Sequence, residues 1–384
     1  MRRARVATSL LATAAITFGL AGAAAGGNGH GQGHKTPGSS PPVTDPAGVI
    51  DLPAGHTYKV LARDCVDQVT STESGATFGM PADFDANITV RGKGGTVQLL
   101  SAHELTKPVA GDFQGDAGKC HVDEQAKADD GDSDGWASVS RLTLGKDGTT
   151  VTKRELITTG LHDLCAGGRT PWGTMLVNEE FPFLQGAGKD RSGWVWEIDP
   201  ETGAQKRATG MGRMSHEQEA VSRGAWYITD DRGNFQYLYK FVPDKRRDLS
   251  KGKLYGLNFD RATNTGEWVG PLDPMDPEGD FAKMSHPDNI RYDREGNLFI
   301  FEDNGSALDT NPATGGNNEV YVLPKGRTGS ENLRKFATIR GGGEGTGPWF
   351  SRHGKLLYLS IQDQAQPDGS DSRVLAITMK KAKK

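Results

Sequence analysis

A glycine, a short apolar run and a polar or acidic end recur along this chain, and that unit most limits what it can fold into. Gly173-Thr174-Met175-Leu176-Val177-Asn178-Glu179-Glu180 is one copy, and Gly224-Ala225-Trp226-Tyr227-Ile228-Thr229-Asp230-Asp231 a second. Gly296-Asn297-Leu298-Phe299-Ile300-Phe301-Glu302-Asp303-Asn304 is a third, and Gly354–Asp363 a looser fourth. The copies lie about 50 to 70 residues apart. Thr96–Ser101, Trp136–Leu144, Trp194–Ile198, Tyr237–Val242, Leu254–Phe259, Glu319–Leu323 and Arg373–Met379 have strand composition and fill the gaps. No long helical period competes with them. Glycine supplies 52 of 384 residues, nearly twice the usual share of about 7%, which suits a chain rich in turns. Short strands in a repeat of this size predict an all-β fold, a β-propeller of about six blades with loop insertions. In a propeller the ends of the inner strands meet at one mouth, so acids distant in sequence converge. Acidic strand ends also occur without catalysis, because an Asp can tie a turn.

The N-terminus predicts export. Arg2, Arg3 and Arg5 precede an apolar stretch, Val6–Leu20, and then the small residues Ala21-Gly22-Ala23-Ala24-Ala25. This is the three-part layout of a secretory signal over 1–27, and the Arg2-Arg3 pair fits twin-arginine export. The apolar stretch is shorter than the roughly 20 residues of a membrane span. No stable membrane association is expected after cleavage, and the protein is expected to be secreted or at the cell surface. Residues 28–47, rich in Gly, His, Ser and Pro, read as a flexible linker, and the propeller is expected over 48–384. A net charge of −4 and a pI near 6.2 argue against general nucleic-acid binding.

Three cysteines remain. Cys65 and Cys120 lie in polar, loop-like contexts and suit a disulfide, which would leave Cys165 free; the alternative is three reduced thiols, two of them simply buried. Cys165 opens the segment Cys165-Ala166-Gly167-Gly168-Arg169-Thr170-Pro171-Trp172, which runs into the first glycine copy and ends on Glu179-Glu180. A thiolate and carboxylates that converge can hold hard or borderline cations such as calcium and iron.

Other acids join the list of candidates. His103-Glu104 follows one strand and His216-Glu217 precedes another; neither is a His-Glu-x-x-His zinc motif, since Lys107 and Ala220 stand where the second histidine belongs. Glu344 sits in Gly341-Gly342-Gly343-Glu344-Gly345-Thr346-Gly347-Pro348, where glycines allow close backbone approach. Asp130-Gly131-Asp132-Ser133-Asp134-Gly135 imitates the start of a calcium loop, but Arg141 occupies the position of its bidentate Glu, so it reads as an acidic surface loop. No Gly-x-Ser-x-Gly elbow and no phosphate loop are present. Metal-assisted hydrolysis is the chemistry these residues support best.

The same residues carry a family resemblance. Cys165–Glu180, His216-Glu217, Asp230-Asp231-Arg232 with Tyr239-Lys240-Phe241-Val242, Leu254-Tyr255 with Phe259, and Glu344–Pro348 with Phe350-Ser351 resemble, in order, the PhoX-type alkaline phosphatases. The likeness spans roughly residues 95–365. It implies a β-propeller, twin-arginine export and hydrolysis of small phosphate monoesters by a cluster of iron (Fe3+) and calcium (Ca2+). On this chain it implies Cys165, Glu217 and Glu344 as catalytic iron ligands. Glu104, Glu180 and either Glu179 or Asp231 would serve calcium. Ser101-Ala102-His103-Glu104 stands where the family more often has Asn-His-Glu, and Arg169, Arg213 and Arg340 are the candidates for a phosphate-gripping cation. Two other readings fit the residues: a calcium-stabilised propeller that binds a ligand without catalysis, and a lactonase-like propeller hydrolase.

Overall fold

Antiparallel strands account for nearly all of the regular structure in the computed structural model, which describes residues 42–45, 47–107, 118–122, 135–180, 192–222, 224–232, 235–260, 265–275, 289–301, 317–327, 334–341, 343–362, 364 and 370–379. They form five sheets, each ordered outward from an innermost strand. Blade 1 runs Phe84–Arg91, Val97–His103, Gly135–Leu144 and Val151–Gly160, with Gln68–Ser71 and Thr77–Gly79 added outside. Blade 2 runs Leu164–Arg169, Met175–Glu179, Val195–Ile198 and Gln205–Arg207. Blade 3 runs His216–Ser222, Ala225–Arg232, Phe235–Lys245, Asp248–Asp260 and Thr265–Leu272. Blade 4 runs Ile290–Tyr292, Leu298–Phe301, Asn318–Leu323 and Arg334–Ile339, and blade 5 runs Glu344–Phe350, Leu356–Gln362 and Arg373–Thr378.

The N-terminal residues finish the last two blades. Ile50–Pro53 pairs with Arg334–Ile339 in blade 4, and Thr57–Arg63 pairs with Arg373–Thr378 in blade 5. The ring is thus closed by hydrogen bonds between the two ends of the chain. Pro42–Val43 pairs with Ile50–Pro53, and Asp45 accepts hydrogen bonds from Tyr58 Oη and the Val49 amide. Part of the expected linker is therefore tied into the fold, because a carboxylate there satisfies donors of the first strands.

The sequence predicted about six blades, and the described residues form five. Among the described residues, Phe235–Lys245 and Asp248–Asp260 are long strands and further strands are added outside blades 1 and 4. The four glycine copies are the second strands of blades 2, 3, 4 and 5. Such a strand is covered on both faces by neighbouring blades, which is why Leu356–Gln362 is buried at every position and reads as an unbroken apolar run.

The core lies between blades. Phe299, Phe301 and Phe336 of blade 4 meet Leu357, Leu359 and Ile361 of blade 5. Tyr358 and Val374 meet Phe84, Leu99 and Leu142 of blade 1. Ile88, Leu100 and Val139 meet Val177 and Trp196 of blade 2, and Leu176 and Val195 meet Trp226, Tyr239 and Phe241 of blade 3. Burying a side chain of this size contributes about 1.5–3 kcal/mol, so blade-to-blade packing, more than any single sheet, sets the ring. Cys65 and Cys120 form a disulfide, with 5.5 Å between their Cα atoms, and Cys165 is free and buried. Among the described residues no helix is long and apolar enough to cross a membrane.

Candidate metal centre

Each innermost strand begins at the same mouth of the ring. Asp85, Cys165 and Glu217 are second in Phe84–Arg91, Leu164–Arg169 and His216–Ser222; Glu344 opens Glu344–Phe350, and Asn289 directly precedes Ile290–Tyr292. The second strand of each blade returns to that mouth, bringing Glu104 after Val97–His103, Glu180 after Met175–Glu179, and Gln362 as the last residue of Leu356–Gln362. In four blades the pairing of these two strands slips near the mouth, at Phe84/Asn87, Cys165/Gly167, His216/Glu219 and Thr346/Trp349. A bulge bends its strand and re-aims the side chains beside it.

Two glycines make this close approach possible. A Cβ on Gly347, whose φ is +53°, would collide with the backbone oxygen of Asp85, and one on Gly167 would collide with that of Leu176. Close contact between blades 5 and 1 follows: Asn87 Nδ2 donates to Gly347 O at 3.2 Å and to Ser360 Oγ at 2.7 Å.

The thiol stands at the centre of the acids. Cys165 Sγ is 3.3 Å from Glu104 Oε1 and 3.3 Å from Glu180 Oε2. Donor atoms of Asp85, Glu104 and Cys165 all lie within 4.8 Å of one another, and so do those of Glu104, Asp163 and Glu180. The two trios share Glu104 and so form one cluster of five donors from blades 1 and 2 and the connection between them. Burial pushes the Glu104 carboxyl up, against the hydrogen bond from Gln362 Nε2 at 3.1 Å. Burial also pushes the Cys165 thiol well up, and the negative neighbours Glu104, Glu180, Glu217 and Asp85 push it further. Like charges buried together cost several kcal/mol unless a cation neutralises them, so the donor set fits metal ions. Glu217 receives Asn289 Nδ2 at 3.4 Å, and Asn289 Oδ1 accepts the Gly347 amide at 3.2 Å, which links blades 3, 4 and 5.

The structure thus brings Glu104, Cys165 and Glu180 into contact and sets Glu217 and Glu344 on the same rim. Glu179 points elsewhere: its oxygens accept the amides of His162 at 3.2 Å and Trp194 at 3.1 Å, and burial raises its pKa to about 8. Asp231 lies on Ala225–Arg232, but its side chain is outside the described residues. So are Glu302 and Asp303 at the end of the third copy, residues 130–134 of the calcium-like loop, and the proposed signal. The histidines of the His-Glu pairs face inward. His103 contacts Ala82 O and Ser140 Oγ, each at 2.9 Å, and His216 Nε2 contacts Gly212 O at 3.0 Å; burial lowers each to about 4, so both are neutral. None of the three candidate cations is shown in contact with the thiol or its carboxylates. Arg340 pairs with Asp51 at 2.8 Å, Arg213 Nε donates to Ser192 O at 2.9 Å, and Arg169 ends its strand at the far side of the ring.

Sequence reasoning missed Asp85, Asp163, Asn289, Gln362 and Lys119. Asp85 holds the strand position that Cys165 and Glu217 hold, a signal visible only once the innermost strands are aligned. Asp163, at φ +42°, accepts a hydrogen bond from Thr106 Oγ1. Lys119 is one residue from the disulfide. Its Nζ is 2.7 Å from Asp83 Oδ2, and the Asp83 carbonyl accepts the Glu104 amide at 2.7 Å. Its charge therefore stands beside Glu104 and favours the ionised carboxyl there.

Fold and mouth define a class: a β-propeller with a buried carboxylate–thiol centre suited to hard cations. The family model for alkaline phosphatase PhoX matches residues 38–284, well over half of the chain, and the chain belongs to that family. PhoX from Pseudomonas fluorescens, solved with the transition-state analogue vanadate, superposes with a TM-score of 0.61 at 16% identity, covering 90% of this chain and 97% of that one. A gluconolactonase of Xanthomonas campestris, at 12% identity and a TM-score of 0.34, covers 83% of this chain and 99% of its own. No curated protein matches the chain in sequence.

Proposed function

We propose that this chain is an exported phosphomonoesterase whose mouth holds iron and calcium ions and acts on small phosphate monoesters. Membership in the alkaline phosphatase PhoX family supports the reaction class. The observation that carries the metal reading is the pair of donor trios, Asp85–Glu104–Cys165 and Glu104–Asp163–Glu180, each within 4.8 Å. Asp85, Glu104, Cys165, Asp163 and Glu180 would hold the ions, with Glu217 and Glu344 on the rim completing the set. Bound cations offset the charge of a phosphate ester, polarise its P–O bonds and supply a nucleophile near neutral pH. The chain's own residues fix the arrangement. Gln362 orients Glu104, Asn289 orients Glu217, and Lys119 adds a positive charge at the rim where the ester's phosphate would enter. The Cys165 thiol is the soft donor that selects for iron over calcium within the set.

Purified protein loaded with iron and calcium should release phosphate from an aryl phosphate and contain both metals by elemental analysis. Calcium without iron, together with no turnover under any iron and calcium condition, would defeat this reading and leave the calcium-stabilised binding propeller or a lactonase-like hydrolase in its place.

A further inference from the structure

The innermost strands carry a second repeat, at their far ends. Each runs into its turn through an arginine: Val90-Arg91-Gly92, Gly168-Arg169-Thr170, Ser222-Arg223-Gly224, Asp293-Arg294-Glu295 and Ser351-Arg352-His353 for blades 1 to 5. Every innermost strand starts at the acidic mouth, so these turns share the opposite face of the ring. Arg223 lies outside the described residues; Arg91, Arg169, Arg294 and Arg352 are exposed. Arg291 stands just above them on Ile290–Tyr292, its guanidinium 3.9 Å from the centroid of the Trp349 ring.

These arginines differ from the others in one respect. Elsewhere Arg63 pairs with Asp67 at 3.2 Å, Arg141 with Glu155 at 3.0 Å, and Arg340 with Asp51 at 2.8 Å. Among the described residues, Arg91, Arg169, Arg291, Arg294 and Arg352 make no ion pair and no side-chain hydrogen bond. Third strands end on the same face, and the turn after Phe235–Lys245 adds exposed Arg246 and Arg247. Acids share this face: Asp147, Asp199 and Asp293 are hydrogen-bonded within their own turns, and Glu201, Asp244 and Glu295 are exposed, but the arginines and lysines of the same turns outnumber them. Arg373–Thr378 also ends here, and the sequence continues as Met379-Lys380-Lys381-Ala382-Lys383-Lys384.

We infer that this back face docks the protein on an anionic phospholipid surface, with the acidic mouth turned away from it. Turns at one end of a ring of blades present a broad face rather than a groove, which suits a planar surface more than a single strand of polymer. Tyr292, 65% exposed beside Arg291, is the kind of residue that settles at a membrane–water interface. A cluster of lysines such as the one after Met379 is a recognised signature of anionic-lipid binding. The expectation of no lasting membrane association rested on the lack of an apolar span, which does not bear on docking by surface charge, and the net charge of −4 averages over two unlike faces.

The test is flotation of the full chain with vesicles of phosphatidylcholine alone and of phosphatidylcholine mixed with phosphatidylglycerol. Neutral vesicles account for the apolar stretch Val6–Leu20, which would enter either membrane. Binding should favour the anionic vesicles and weaken with salt. Arg91→Gln, Arg169→Gln, Arg294→Gln and Arg352→Gln combined should weaken it by roughly a thousandfold, at about fivefold per basic residue. Arg63→Gln, Lys107→Gln, Lys253→Gln and Arg340→Gln, an equal charge change on the mouth side and the flank, should change it far less. Equal binding to both vesicles, or a back-face variant that binds like the parent, overturns the inference. Binding to single-stranded DNA but not to vesicles also overturns it, and would assign the face to a phosphodiester polymer.

Discussion

Glu219 gives the sharpest stability test. It lies on His216–Ser222, is 4% exposed, and neither carboxyl oxygen has a hydrogen-bond partner. Asn178 is its polar neighbour; Asn178 Nδ2 is committed to Glu217 O at 2.7 Å, and Oδ1 accepts nothing. An ionised Glu219 is buried with only partial compensation from the Asn178 side chain, whereas the neutral form avoids most of that cost. Burial accordingly raises its pKa from 4.5 to about 8. Between those values the folded chain keeps a proton that the unfolded chain releases. The native state binds more protons there, so stability falls as pH rises from about 4.5 to about 8 and is level outside that window. At 1.36 kcal/mol per unit, the shift amounts to up to about 5 kcal/mol. Glu219→Gln keeps the shape and does not titrate. Urea unfolding of both proteins, stripped of metal and followed from pH 4.5 to 8.5, should show near-equal stability at the acid end and a gap of several kcal/mol in favour of the variant at the alkaline end. Parallel pH profiles would refute the assignment of a neutral Glu219.

Three further outcomes follow from the site. Cys165→Ser should lose iron and any thiolate-to-iron absorption while changing stability by only about 1 kcal/mol; unchanged iron by elemental analysis would remove the thiol from the centre. Removing the disulfide with Cys65→Ser and Cys120→Ser opens a loop of 55 residues and should cost about 4 kcal/mol by chain entropy. Because it also frees Lys119, KM for an aryl phosphate should rise more than kcat falls, and a kcat effect alone would detach Lys119 from substrate binding. Gly347→Ala should cost about 3 kcal/mol, combining a left-handed φ with a clash against Asp85, and should lower metal content; a melting temperature like the parent's would show that blades 5 and 1 need not approach so closely.

Much of this arrangement could be read from the chain because propeller strands are short and regular. The second strands announced themselves by glycine, apolar run and acid, since both faces of such a strand are covered. A fifth copy, Gly95-Thr96-Val97-Gln98-Leu99-Leu100-Ser101-Ala102-His103-Glu104, belongs to blade 1 and was legible in the same way. The innermost strands were harder. Asp85-Ala86-Asn87 looks like a surface turn until Ser101 and Ser360 are seen to satisfy Asn87. Glu179 and Glu180 are adjacent and chemically identical, and only strand alternation sends one to the amides of His162 and Trp194 and the other to Cys165. Composition likewise placed Asp45 in a spacer, because its partners, Tyr58 and the Val49 amide, are contacts that the sequence does not display.

Closure of the ring by Thr57–Arg63 against Arg373–Thr378 also orders events in time. The strand made among the first must wait, unpaired, until one of the last has been synthesised, and a pairing so distant in sequence forms slowly. Until then blade 5 lacks its outer strand, and Glu344 and Gln362, which it carries to the mouth, have no fixed place opposite Asp85 and Cys165. Metal uptake should therefore be among the last steps of maturation and should report a finished ring. A chain cut before Arg373 would keep every one of these ligands in its sequence and yet have no centre to assemble.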